Sequence, residues 1–185
     1  MSSSQPLTYD RANRVQRALR RCGATRPGSW MFARILHHID RPVHRLTHGR
    51  TTFTSMITGL PVVLLTTTGA RTGLTRSMPL LGLPTAEGVA VIASNYGQAR
   101  NPGWCYNLRR NPQATLTLAG QTTAVHAVEV DGQQREQIWT AGLRVYPGWT
   151  AYQRRTAGRR IPVFVLTPQP APDPPPPDAR TPRPR

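Results

Sequence analysis

The residues best suited to bind a ligand lie in one short stretch, residues 68–76, where glycines, hydroxyls and arginines alternate. Gly69 and Gly73 allow positive φ and let backbone N–H groups approach a bound molecule closely. Side-chain donors are added by Thr68, Arg71, Thr72, Thr75 and Arg76. Guanidinium and hydroxyl donors around a glycine turn suit an anion, and phosphate above all. The stretch therefore predicts a phosphate-binding turn, whose ligand could be a nucleotide, a flavin or a nucleic-acid backbone.

Motifs for covalent or hydrolytic catalysis are absent from the sequence. It contains no G-x-S-x-G nucleophile motif, no Walker sequence and no G-x-G-x-x-G dinucleotide fingerprint. His126 stands alone in a predicted strand, and the acidic residues expected in turns or helix starts are Glu87, Glu129, Asp131 and Glu136. Because four further histidines lack grouped cysteine or acidic partners, no metal site is predicted. A bound cofactor is therefore expected to carry the chemistry.

Positive charge dominates the chain and is concentrated near its start. The 185 residues include 24 basic and 8 acidic side chains, for a formal net charge of +16. Residues 1–52 carry ten arginines against Asp10 and Asp40. Such a balance attracts anionic surfaces or polyanionic cofactors. Residues 1–48 are therefore predicted to be a basic amphipathic helical segment that either contacts an anionic membrane or packs on the core.

Hydropathy patterns predict one α+β domain between this segment and the end of the chain. Strands are expected at Val62–Thr68 and at residues 76–83, 89–94, 114–118, 122–130 and 161–167, with helices near residues 101–111, 133–145 and 149–155. About six strands with peripheral helices are typical of a small β-barrel at residues 49–168. Residues 169–185 are rich in proline and are predicted to be a disordered tail. With no signal peptide or spanning stretch recognised, the expected location is cytoplasmic, peripheral at the inner face of the cell membrane.

Three sequence blocks carry a family resemblance. TTTGARTGLTRSMPL, VIASNYGQARNPGWCYNLRRNPQATL and YPGWTAYQRRTAGRRIPVFVLTP together resemble the deazaflavin (coenzyme F-420)-dependent nitroreductase and quinone reductase family of actinobacteria. The resemblance implies an FMN-binding split-barrel-like fold and reduced coenzyme F-420 as the cofactor, with FMN as the alternative. It further implies a quinone or a nitro compound as the small-molecule electron acceptor, and a homodimer is a further expectation because split barrels often pair across a barrel edge.

The same resemblance assigns roles to individual residues. The hairpin tip would hold the cofactor's phosphate and acidic tail through Thr68, Arg71, Thr72, Gly73 and Arg76. The deazaflavin itself would be lined by Ser94, Asn95, Gly97, Asn101, Trp104 and Asn107. Catalytic roles next to the acceptor would fall to Tyr146, Trp149 and Tyr152. Two departures stand out, since some relatives have lysine at Asn95 and the nitroimidazole-reducing members have tyrosine at Trp149.

The leading hypothesis is an oxidoreductase that transfers a hydride from reduced coenzyme F-420 to a quinone-like or nitro-aromatic acceptor. A split barrel that binds a deazaflavin or flavin without turnover is an alternative. A second alternative is a basic nucleic-acid-binding barrel, in which bases would stack on aromatic side chains. Nucleic acid is not the expected partner, because the aromatic residues cluster near proline-broken helices and do not alternate along strands.

Overall fold

A computed structural model of the chain describes residues 62–170 together with the isolated residue Thr25. The six strands are β1 (Val62–Thr68), β2 (Thr75–Pro84), β3 (Val89–Ile92), β4 (Gln113–Leu118), β5 (Gln121–Val130) and β6 (Val163–Pro168). The helices are α1 (Gly103–Arg110), α2 (Gly132–Val145) and α3 (Gly148–Arg155), with a 3-10 turn at Asn95–Gly97. Each predicted strand and each predicted helix of this part of the chain is present.

The strands form a closed antiparallel barrel. They pair in the order β1-β2-β3-β6-β5-β4, and β4 pairs back to β1. This confirms the predicted α+β class and the split-barrel architecture. The last strand begins at Val163 and not at the predicted residue 161, because Pro162 has no N–H with which to continue the ladder.

One core fills the barrel. Alternation along β1 buries Val63 and Leu65, which lie in one cluster with Phe164 of β6 and with Trp104 and Leu108 of α1. Trp104 is 5% exposed, and its ring contacts Phe164 edge-on with 5.8 Å between centroids. The buried face of α1 thus belongs to the inner core, which fixes this helix on the barrel.

A second core lies between the barrel wall and two helices. The alternate β6 residues Val163 and Val165 cluster with Ile138 of α2 and with Trp149 of α3. Gly142 permits the close approach of α2, because a Cβ there would lie 2.7 Å from an atom of the Trp149 ring. The first four residues of β6 are therefore buried on both faces of the strand, in agreement with the apolar run at residues 163–166.

Several predictions fall outside the described residues or need correction. Apart from Thr25, the predicted helical segment at residues 1–48 is outside the description, as are residues 49–61 and 171–185. Within the described part, no helix combines the length and apolarity needed to cross a bilayer, and no cluster of side chains suited to a metal ion occurs. Glu129, expected in a turn or helix start, lies within β5.

Candidate functional site

The tip of the β1–β2 hairpin is a tight turn that requires glycine. The N–H of Gly69 donates to the carbonyl of Leu74 at 2.9 Å, and the N–H of Gly73 donates to the carbonyl of Gly69 at 2.8 Å. Gly73 has φ +67°. A Cβ at Gly69 would lie 2.9 Å from the Thr72 hydroxyl and 3.0 Å from the Leu74 carbonyl oxygen. Both glycines are therefore needed for the turn to close.

The polar side chains of this tip are exposed and carry positive charge. Arg71, Thr72 and Arg76 are all exposed, and neither arginine forms an ion pair with another residue in the described part of the chain. Arg76 is directly opposite Thr67 in the β1–β2 register, so both side chains lie on the same face of the sheet. Because Thr67 is buried at the barrel end, Arg76 marks the rim of the barrel. The tip thus offers two cations to an external anion.

Asn107 of α1 links this tip to the barrel. Its side chain is buried, its Nδ2 donates to the Thr67 hydroxyl at 3.0 Å, and its Oδ1 accepts from the Ala70 N–H at 2.9 Å. One side chain therefore holds both the end of β1 and the turn that follows. Sequence reasoning placed Asn107 beside the cofactor but gave no sign of this bracing contact.

The second predicted element, the loop of residues 94–101, has an unusual backbone. Asn95, Tyr96 and Gly97 have consecutive positive φ values of 47°, 55° and 78°. The Asn95 side chain closes the loop by donating to the carbonyl of Arg100 at 2.9 Å. Positive φ is unfavourable for residues with a Cβ, so this shape must be fixed by its surroundings.

Arg159, which sequence reasoning missed, supplies that support. Its Nη2 donates to the carbonyls of Ser94 at 3.1 Å and Gln98 at 2.9 Å. Its Nη1 donates to the side-chain oxygen of Asn101 and to the carbonyl of Ala93, the latter at 3.4 Å. Burial lowers the pKa of the Arg159 guanidinium below its usual range. The residue stands in the third sequence block, but no spacing there signals its partners.

The predicted aromatic residues form one buried cluster. The hydroxyls of Tyr146 and Tyr152 are hydrogen-bonded at 2.9 Å, and the Trp149 ring meets Tyr146 edge-on at 5.7 Å. All three residues are at most 7% exposed. Burial, followed by the adjacent Tyr146 hydroxyl, raises the pKa of the Tyr152 phenol far above its usual range. Trp139 of α2 extends the cluster and was not predicted.

The aromatic cluster and the loop adjoin each other. Tyr96 contacts Tyr152 edge-on with 6.2 Å between ring centroids. A Cβ at Gly97 would lie 2.9 Å from the Cα of Tyr152, so the loop backbone rests directly on α3. The loop and the aromatic cluster, which are two of the three predicted groups of site residues, are thus in contact. Asn107 joins the hairpin tip to α1, the helix that follows the loop.

Comparisons with known proteins agree with this arrangement. The model of the family described as F420H(2)-dependent quinone reductase matches residues 39–168. The F420H(2)-dependent quinone reductase Rv1261c of Mycobacterium tuberculosis (strain ATCC 25618 / H37Rv) is 33% identical over 129 residues, which cover 68% of this chain and 85% of that protein. These matches confirm the predicted family, enzyme class and cofactor, and they do not favour FMN or a nucleic-acid-binding barrel.

Two solved structures are also similar. The F420-H2 Dependent Reductase (FDR-A) aligns with a TM-score of 0.53 and 34% identity, covering 57% of this chain and 93% of that chain. A structure described as a domain-swapped dimer aligns with a TM-score of 0.55 and 30% identity, covering 70% of this chain and 97% of that chain. The family match spans well over half of the sequence. The chain therefore belongs to the F420H(2)-dependent quinone reductase family and is an oxidoreductase that uses reduced coenzyme F-420.

Proposed function

We propose that this chain transfers a hydride from reduced coenzyme F-420 to a quinone and that it holds the cofactor's phosphate and acidic tail at the hairpin tip. The observation that carries the proposal is the glycine turn flanked by Arg71 and Arg76, which have no acidic partner among the described residues. Guanidinium and hydroxyl donors, without a carboxylate between them, fit phosphate and carboxylate groups. The donor set therefore fits the anionic half of this cofactor.

The planar half of the cofactor is assigned to the loop of residues 94–101. Ser94, Asn95, Gly97 and Asn101 offer small and polar groups at this loop, beside the aromatic cluster. Trp104 and Asn107 support the site indirectly: Trp104 packs α1 into the inner core, and Asn107 holds the hairpin tip through its two hydrogen bonds. When bound, the reduced deazaflavin would supply the hydride. The chain would supply position and exclusion of water.

Tyr146, Trp149 and Tyr152 are proposed to receive the acceptor. The Tyr152 phenol carries its proton on Oη at neutral pH, as an ordinary tyrosine does, and its raised pKa extends this protonated state to alkaline pH. The Tyr146–Tyr152 hydroxyl pair can then donate a hydrogen bond to the oxygen that gains negative charge as a quinone is reduced. Transfer of a proton to that oxygen would complete the reduction. The simpler alternative is that the three side chains form only the wall of the pocket.

Nitro compounds are a second proposed class of acceptor. For these, Trp149 is the relevant difference, because the nitroimidazole-reducing members of the family have tyrosine at this position. A homodimer is proposed on the likeness to the domain-swapped dimer. The basic N-terminal sequence supports a cytoplasmic protein attached to an anionic membrane, where lipid-soluble quinones reside.

Two measurements on the purified protein test the proposed function. Deazaflavin fluorescence should be quenched on titration with protein, and the absorbance of the oxidised cofactor should appear when menadione is added to the reduced complex. Tyr152→Phe should lower the turnover number more than the cofactor affinity if the hydroxyl acts on the acceptor. Binding without turnover across a panel of quinones would instead indicate a non-catalytic binding protein. Absence of both binding and turnover would refute the proposal.

A further inference from the structure

Arg159 is attached firmly to the end of α3. Its N–H donates to the carbonyl of Thr156 at 3.0 Å, and its own carbonyl accepts from the Thr156 hydroxyl at 2.8 Å and from Gln153 Nε2 at 3.1 Å. Thr156 is 1% exposed, so this small network is protected from water. The backbone of Arg159 is therefore fixed relative to the helix that carries Trp149 and Tyr152.

The guanidinium reaches from this fixed point into the loop of residues 94–101. It donates to three backbone carbonyls of residues 93–98 and to the side chain of Asn101, the residue that leads into α1. Only a planar fork of several donors can satisfy acceptors spread in this way. A lysine ammonium would keep the charge but could not span them.

The loop needs such an external support. Its own backbone contributes the hydrogen bonds from Gly97 N–H to Ser94 and from Gln98 N–H to Asn95, both at 3.0 Å. Against these stand the left-handed conformations of Asn95 and Tyr96, which are unfavourable for residues with a Cβ. The Asn95 side chain adds bonds to the Arg100 carbonyl and to Gln98 Oε1, but a backbone of this kind keeps one shape only if its neighbours help to impose it.

We infer that Arg159 is a positioning residue that holds the loop of residues 94–101 in its cofactor-binding shape against α3. The inference rests on the proposed function, because that loop is assigned there to the deazaflavin. Arg159 acts through the loop, since its hydrogen bonds within the described part of the chain go to residues 93–101 and to the end of α3. Its removal should therefore weaken cofactor binding more than it slows turnover by the loaded enzyme.

Two substitutions with a matched control test this role. Arg159→Lys keeps the charge and loses the fork, Arg159→Gln loses both, and the control Arg160→Gln removes a neighbouring exposed arginine whose described partner is Asp131. Both Arg159 variants should raise the cofactor Kd about tenfold, equivalent to one lost charge-assisted hydrogen bond. The turnover number at saturating cofactor should change by less than about threefold. Arg160→Gln should match the wild type.

Amide hydrogen exchange of the cofactor-free proteins separates this role from a general loss of stability. The amides of Gly97 and Gln98 should exchange faster in both Arg159 variants, while those of β1 and β6 stay protected. An unchanged Kd with unchanged loop exchange would overturn the inference. Faster exchange throughout the barrel with a lower melting temperature would also overturn it. If the wild type itself fails to bind the deazaflavin, the proposed function fails, and the local exchange still decides whether Arg159 orders the loop.

Discussion

Replacing Asn107 by alanine should loosen the hairpin tip at a calculable cost. The Thr67 hydroxyl is buried and loses its donor, which costs about 1–2 kcal/mol, whereas Ala70 is exposed and water can replace its lost bond at about 0.5 kcal/mol. Alanine regains about 0.5 kcal/mol because it is the better helix former in α1. The net loss of unfolding free energy should therefore be about 1–2 kcal/mol, and the melting temperature should fall by about 5 °C.

Urea denaturation of a double-mutant cycle measures this contact directly. Thr67→Val removes the same hydrogen bond from the other side, while Thr67→Ser retains the hydroxyl as a matched control. If the Asn107–Thr67 bond acts as described, the two losses are not additive and differ from their sum by about 0.5–1 kcal/mol. Cofactor affinity should also fall several-fold in Asn107→Ala, because the phosphate turn loses its brace. Strict additivity, together with unchanged affinity, would refute this account of the tip.

Three further outcomes are expected. Gly97→Ala should cost about 2–4 kcal/mol in urea denaturation, because its φ is +78° and the added Cβ would lie 2.9 Å from Tyr152, whereas Gly103→Ala, with no atom within 4 Å, should not destabilise. The pKa of Tyr152 is raised in the folded state, so the stabilising effect of its protonated phenol is complete below about pH 10. Above that pH the free energy of unfolding should fall by about 1.4 kcal/mol per pH unit. Denaturation midpoints measured against pH should show this fall in the wild type, and Tyr152→Phe should lack it. Burial raises the pKa of the Cys105 thiol to about 11, so iodoacetamide should label Cys105 only after unfolding. Rapid labelling of the Cys105 peptide in the native protein, detected by mass spectrometry, would contradict the burial of this thiol.

The strands were accessible from the sequence because they are short runs rich in β-branched and other apolar residues, bounded by turn residues. Within β1 the buried residues are Val63 and Leu65, which the sequence does not distinguish from the equally apolar Val62 and Leu64. The apolar run of β6 also indicates a strand, but periodicity cannot reveal that Val163 and Phe164 face two different cores. That fact depends on where α2 and α3 pack, which local sequence does not encode.

The polar contacts of the site were much less accessible. Asn107 bonds to residues 37 and 40 positions away, and Arg159 bonds to residues 58 to 66 positions earlier in the chain. These side chains meet their partners only when the barrel closes, so the spacing of residues along the chain does not predict the contacts. Arg135 shows the same limit, since it is buried and donates to the Ile161 carbonyl, 26 positions later in the chain.

The hairpin tip is proposed to bind the anionic half of coenzyme F-420. The most direct test of this binding is a fluorescence titration of the cofactor against the wild type and the Arg71→Ala/Arg76→Ala double variant. Arg110→Ala/Arg144→Ala removes two other exposed arginines and controls for charge. The Kd of the tip variant should be about a hundredfold higher, because each arginine contributes one charge-assisted contact, and the control should change little. Equal affinity in the tip variant and the wild type would contradict this proposal and move the phosphate site elsewhere.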